Sequence, residues 1–583
     1  MWTSQSSIQA SLLTTLFKQR LFKQGLWSLG IGLLQAAIAL SPQATRPGQA
    51  AETVTFSIGG NIERSLSVDS LELYAKEGIV TKELAAYLPY LRNLDAATLS
   101  RAREILIERV DTDVTAVSQF GYTQQGEYLL EQIGEVFRTG GRLSGAKGIR
   151  GAAILSAADS AEGLTILNVI RRFPTPVLRV DLRKGNAIIN QFDAAFQQSN
   201  TALELVEQLS LATATDDLPG DNSAARLAQM ITEVGPFQIR RQSIRVKASS
   251  QPVDIYTPTL STNFAGSASQ RDDYVWPAVV ISHGLGNDRT TYSYLAQFLA
   301  ERGFAVINIE HRGSSEDQVA SLIAGVSNEV VSADEFISRP QLISQVLDEL
   351  EQRDDFKEKG RGRIDFNNVG VIGQSFGGYT ALAVAGAPLN LTRLQTDCPP
   401  TELSFNVSLL LQCQAVDLAE TANLNTNLNF RDPRIRAAIA INPITSELFG
   451  PEGLSEIDIP LMMLAASNDT IAPALPEQIR PFTWLTKADR YLLIMQGATH
   501  FSTMGITGTE IFELPPSVVG PHPEITQDYT QSMSLAFLNT YLKDEDQYAA
   551  VLTSAFTTRF SEPELPLSLI SELTPEQLAE QLK

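Results

Sequence analysis

From Phe237 onward the apolar positions alternate with polar ones. Phe237 and Ile239, Ile244 and Val246, then Val253 and Ile255 each skip one residue. That period of two predicts a half-buried antiparallel hairpin. The pattern then changes to short, unbroken apolar runs at 278–281, 304–309, 369–372, 435–441, 461–465 and 491–495. Helical stretches near 291–302, 340–352 and 379–387 lie between them. Apolar strands alternating with helices predict a mostly parallel sheet covered on both faces.

Residues 52–230 read differently, as a mostly helical accessory domain. Ser67 caps a run carrying Val68, Leu71 and Tyr74 that Gly78 ends. Thr81 caps a second run with Leu84, Leu88 and Leu91, and a third follows Asp95. Helical spacing with such starts and stops predicts short amphipathic helices. Further helical segments are expected near 127–138 and 187–211, with loop and a weak helix over 139–158. No catalytic motif occurs in this region. The predicted organisation is therefore an export signal over 1–50, a helical domain over 51–230 and a catalytic domain over 231–583.

The candidate chemistry lies in the second pattern. Gly373-Gln374-Ser375-Phe376-Gly377 follows an apolar strand and precedes a small-residue helix. Strand, Gly-x-Ser-x-Gly turn and helix together form a nucleophile elbow. The flanking glycines are needed because a Cβ would collide with nearby backbone. The turn also sets the serine at a helix N-terminus, where developing negative charge is stabilised. Five residues of common type are a weak signal alone, so the partners matter.

A serine hydroxyl needs a base, and the base needs an orienting acid. In chain order the acid should come next, just past a strand's C-terminal end. Asp469 follows the 461–465 run, whereas Asp458 precedes it, at the wrong end. The chain has four histidines: His283, His311, His500 and His522. His500 follows the 491–495 run and is the expected base. Two backbone N–H groups should form the oxyanion hole, from Phe376 and from Leu285 in the loop after 278–281. His283 is read as a buttress of that loop. An antiparallel start, parallel strands and the order Ser, Asp, His together predict an α/β-hydrolase fold.

His283-Gly284-Leu285-Gly286, Thr291-Tyr292-Ser293, Gly303-Phe304 and Glu310-His311-Arg312 resemble the platelet-activating factor acetylhydrolase branch of that superfamily. So does the elbow, except that Gln374 stands where those enzymes usually carry histidine. The resemblance covers roughly 239–539. It implies hydrolysis of short or oxidised acyl esters by a Ser375–Asp469–His500 triad, without a metal or other cofactor. Other chemistry on this fold, of dienelactone hydrolase or peptidase type, is the alternative. A non-catalytic exported binding protein is a third reading. Residues 52–180 are similar to an uncharacterised domain that precedes such hydrolases in cyanobacteria.

Charge and cysteine usage narrow the setting. The 583 residues carry a formal charge of −21, which disfavours nucleic acid and anionic membrane surfaces as partners. Lys18, Arg20 and Lys23 precede an apolar stretch over 26–40 and then small residues. That order predicts an export signal cleaved after Ala50, leaving no stable membrane span and a periplasmic or secreted protein. An uncleaved anchor is the alternative. The expected partner is a small or lipid-like ester, and nothing names a protein partner for the helical domain. Cys398 and Cys413 are the two cysteines. In an oxidising compartment they would close a loop worth about 3 kcal/mol; the other reading is two free thiols. They sit in an insertion over 388–433, which is either a lid or pocket wall, or a surface excursion.

Overall fold

The computed structural model describes residues 50–58, 62–87, 96–214, 221–247, 250–259, 274–356, 363–398, 404–421, 428–505 and 514–583. The expected export signal, and the positions Leu88, Leu91 and Asp95, lie outside them. The chain divides into two compact units. One runs to Ala195 and includes Val319–Val330; the other comprises Phe196–Gln318 and Val331–Lys583.

The first unit contains helices at the expected starts after Ser67 and Thr81, and Ala96–Ile107, Gln124–Val136 and Ala146–Ala157 follow. Ser67 accepts the N–H of Ser70, and Gly78 ends that helix in the left-handed conformation at φ 74°. Thr81 accepts the N–H of Leu84. A four-stranded sheet accompanies them that helical spacing did not predict. Its strands are β1 (Thr53–Ile58), β2 (Ile62–Ser67), β3 (Phe137–Thr139) and β4 (Val177–Asp181), in the order β2-β1-β4-β3. β1 and β4 pair in parallel, and both edges are antiparallel. Val54, Val68, Val136, Phe173, Leu178 and Val180 form its core.

The second unit is built on a nine-stranded sheet. The strands are β5 (Gln238–Arg245), β6 (Pro252–Thr259), β7 (Val275–Ser282), β8 (Ala305–Ile309), β9 (Arg363–Gln374), β10 (Ile435–Ile441), β11 (Leu461–Ala466), β12 (Arg490–Met495) and β13 (Leu567–Ile570). Their spatial order is β13-β12-β11-β10-β9-β7-β8-β6-β5. From β8 through β12 all neighbours are parallel. The β5–β6 hairpin joins β8 antiparallel at one edge. At the other edge β13 adds antiparallel to β12, so the strand expected to be last is followed by one more.

Burial on both faces explains the unbroken apolar runs. Ala278 and Val280 of β7 pack into one core, and Val279 and Ile281 into the other. Met463 and Ala465 of β11 face the first, and Met462, Leu464 and Ala466 the second. A polar residue at any of these positions would lose its water without gaining a partner.

The division at Ala195 falls inside a helix, Leu182–Ala214, earlier than the position near 230 where the apolar pattern changes. The reason is packing. Ala202, Leu203 and Val206 are buried in the larger unit's core, as is Ile231. The apolar stripe of the helix thus belongs to the sheet domain before the strand pattern begins.

Candidate active site

Ser375 stands at the sharp turn between β9 and the helix Phe376–Ala385. Its backbone adopts φ 56°, ψ −115°, a strained conformation for a residue with a Cβ. Two close approaches hold it there. A Cβ on Gly373 would lie 1.9 Å from the Gly377 carbonyl oxygen, and one on Gly377 would lie 2.0 Å from that of Ser282. The Ser375 N–H donates to Ile441 O at 2.9 Å, fixing the elbow to β10. All ten residues of the following helix are buried.

Asp469 and His500 lie in the loops after β11 and β12, at the same sheet edge as Ser375. His500 Nε2 is 2.9 Å from Ser375 Oγ, and His500 Nδ1 is 2.6 Å from Asp469 Oδ2. The other carboxylate oxygen, Oδ1, accepts the N–H groups of Ile471 and Ala472, both at 2.8 Å. The carboxylate is thereby locked with one oxygen toward the imidazole. The two loops also bond each other: Asn468 N–H donates to Ala498 O, and Gly497 N–H to Ser467 Oγ. All three side-chain-bearing residues are buried, at 4–7 % exposure, which strengthens their electrostatic coupling. His522 is exposed and pairs with Glu524.

Leu285 lies three residues past β7, the strand paired with β9, and Phe376 follows Ser375 directly. Among the described residues, neither backbone N–H donates to a protein acceptor. Both are thus free for an external oxygen. His283 and His311 are buried behind this loop. His283 Nε2 accepts the His311 N–H at 3.0 Å, so its Nδ1 carries the proton given to Gly284 O at 2.7 Å. Burial first, then the nearby Arg339 cation, holds His283 neutral, with its pKa down to about 3. His311 is held well below the usual range by burial, Arg339 and His283.

Three residues make contacts that the sequence reading did not anticipate. Asn442, at φ 43°, donates its amide to His500 O at 3.3 Å and accepts the Ala466 N–H at 3.0 Å. Gln374, buried beside Ser375, also donates to His500 O, at 3.2 Å. The side chain at this position therefore bears on the His500 loop. The third is Glu477, in the π-helical turn Leu475–Ile479. Its fully buried carboxylate is held by neutral donors alone. Oε1 accepts from Asn406 Nδ2 (2.5 Å), Gln412 Nε2 (3.0 Å) and Ser446 Oγ (2.5 Å). Oε2 accepts the N–H groups of Thr445 (2.6 Å) and Ser446 (3.0 Å), at a helix start that favours negative charge.

Asn406 and Gln412 belong to the cysteine-bearing insertion, and Cys398 and Cys413 are joined there as a disulfide. Ser408 N–H donates to Ile471 O at 2.7 Å. The insertion is thus tied through Ser408 to the loop that holds Asp469, and through Glu477 to the turn after it.

A parallel sheet with an elbow serine after its central strand, and acid and base after later strands, decides the architecture. The second unit has the α/β-hydrolase fold. Comparison with known proteins agrees. Residues 50–181 match a family described as an alpha/beta hydrolase of unknown function (DUF1400), and residues 255–335 match platelet-activating factor acetylhydrolase, isoform II. The platelet-activating factor acetylhydrolase of Canis lupus familiaris is 34% identical over 138 residues, covering 18% of this chain and 31% of its own. That of Cavia porcellus is 23% identical over 342 residues, covering 52% and 66%. A bis(hydroxyethyl) terephthalate hydrolase of Streptomyces coelicolor is 22% identical over 296 residues, covering 50% and 66%. The chain spans about a third to two thirds of these relatives. It resembles the platelet-activating factor acetylhydrolase-like branch of the α/β-hydrolases. Among the described residues, no helix is long and apolar enough to cross a membrane.

Proposed function

We propose that this protein is a serine esterase. The observation that carries the reading is the hydrogen-bonded chain from Ser375 Oγ through His500 to Asp469, at 2.9 and 2.6 Å. His500 takes the Ser375 proton as Oγ attacks an ester carbonyl, and Asp469 holds the imidazole tautomer and steadies the imidazolium. The N–H groups of Leu285 and Phe376 receive the oxyanion. His500 then protonates the leaving alcohol, and an acyl group remains on Ser375. Water, deprotonated by His500, releases the acid by the same route in reverse.

The relatives' names support carboxylic esters, with short acyl chains as the first class to test and aromatic esters as the second. The disulfide and the basic-then-apolar N-terminal stretch support export to an oxidising compartment. Thiol titration of the denatured, unreduced protein should then find no free cysteine.

The deciding experiment combines a fluorophosphonate probe with p-nitrophenyl esters of increasing chain length. Wild type should label and turn over the short esters, and Ser375→Ala should do neither. Equal labelling of the two proteins, or cleavage of peptide amides with no ester turnover, would refute the proposal.

A further inference from the structure

We infer that Arg339 is a positioning residue for the oxyanion hole: one buried guanidinium fixes both backbone donors. The inference rests on the esterase reading, since it assigns Leu285 and Phe376 the same role.

Arg339 lies on the helix Glu335–Gln352 and is fully buried. Its Nη1 donates to His283 O at 2.8 Å, and its Nη2 reaches Gly284 O at 3.5 Å. The carbonyl of Gly284 and the N–H of Leu285 belong to a single peptide unit. Being planar, that unit cannot turn its N–H without moving its oxygen. The oxygen also accepts His283 Nδ1–H at 2.7 Å. A cation and a second donor at the oxygen polarise the unit, making the opposite N–H a stronger donor. On the far side of Leu285, Gly286 N–H is tied to Ser314 O at 2.9 Å.

The same guanidinium lies over the ring of Phe376, with Cζ 4.3 Å from the centroid. Phe336, one turn before Arg339, packs edge-on against that ring at 4.8 Å. Phe376 supplies the second donor from its backbone, so anchoring its ring restrains the first turn of its helix. Arg339 is held in turn by Ser314 Oγ, which accepts from Nε at 2.8 Å, and by Glu335 at 3.6 Å. Burial lowers its pKa only to about 10, so the cation is present at neutral pH. Leu285 and Phe376 are about ninety residues apart in the chain, and Arg339 touches both segments.

The test uses the full-length protein and the variants Arg339→Met, Arg339→Lys and Ser314→Ala. It reads kcat and KM with p-nitrophenyl acetate, the affinity for an arylboronic acid that mimics the tetrahedral anion, thermal stability and the pH–rate profile. Arg339→Met should lower kcat about 10- to 100-fold with KM little changed, somewhat less than the loss of a whole oxyanion donor. Boronate affinity should fall by the same factor as kcat/KM across the variants. The acid limb of the pH profile should stay in place, because His500 and Asp469 are untouched. Folded Arg339→Met with wild-type kcat would overturn the inference, as would losses that track only the folded fraction. If Arg339→Met does not fold, Arg339→Lys and Ser314→Ala decide: both matching wild type in kcat and boronate affinity overturns it. A wild type that neither labels with fluorophosphonate nor cleaves any ester sinks the esterase reading and this inference together. Labelled, active wild type with unaffected Arg339 variants sinks only the inference.

Discussion

Glu477→Gln is a near-isosteric change with a large expected cost. Six neutral donors reach the Glu477 carboxylate, and five depend on it, because the Thr445 hydroxyl also donates to Glu477 O. An amide would keep its oxygen on the Oε2 side, where the rigid N–H groups of Thr445 and Ser446 point. Its NH2 would then replace Oε1 and face the amide nitrogens of Asn406 and Gln412. Gln412 cannot turn over freely, because its own Oε1 already accepts the N–H groups of Glu447 and Leu448 at 2.9 and 3.3 Å. Ser446 Oγ can rotate to accept, so one contact is recovered. Two buried donors remain without an acceptor, at about 1–3 kcal/mol each. Relief from burying a charge offsets part of this, leaving a net loss of about 2–4 kcal/mol. For a domain of this size that lowers Tm by about 3–5 °C. Glu477→Ala strands all five donors and opens a cavity, which would consume most of a typical folding stability of about 5–15 kcal/mol. Thermal unfolding followed by circular dichroism measures both. Because Ser408 ties the insertion to the Asp469 loop, kcat should fall alongside Tm. Variants within about 0.5 kcal/mol of wild type would show that the carboxylate does not hold the insertion.

Acid should destabilise the protein through His283 and His311. Both are held below their usual range, so between about pH 6.5 and 3 the unfolded chain binds protons that folded His283 refuses. Stability is therefore full above pH 6.5 and falls by about 1.4 kcal/mol per pH unit for each histidine as pH drops. A Tm that stays level from pH 7 to 5 would contradict this, and His311→Asn should flatten the slope. Asp469→Asn should fold normally and lose about 10⁴-fold in kcat. The Ile471 and Ala472 N–H groups retain the amide oxygen, so its NH2 faces His500 Nδ1 and imposes the wrong tautomer; wild-type kcat would refute this. Gly373→Ala should abolish soluble expression or fluorophosphonate labelling, since its Cβ would meet the Gly377 carbonyl oxygen at 1.9 Å.

The sequence by itself determined the parallel sheet and its elbow. Strands buried on both faces must be continuously apolar, and the runs at 278–281 and 435–441 announce themselves for that reason. Gly373 and Gly377 are readable because backbone approaches backbone there, and only glycine fits. Asp469 and His500 could be chosen as candidates by strand order and by the scarcity of histidine. The small sheet of the first unit was less legible. β3 has three residues, too few for a period to show, and β1 and β4 find each other across more than a hundred residues.

What only the tertiary structure decided concerns groups without a local pattern. Glu477 looks like any helical glutamate until Asn406, Gln412, Thr445 and Ser446 converge on it. Arg339 reads as one polar residue on an amphipathic helix. Its burial exists only because two distant peptide segments and an aromatic ring close around it. Local sequence records propensity and period. Partner choice for a buried charge is set by the chain's return from far away, and that is where the support for Leu285, Phe376 and Asp469 is found.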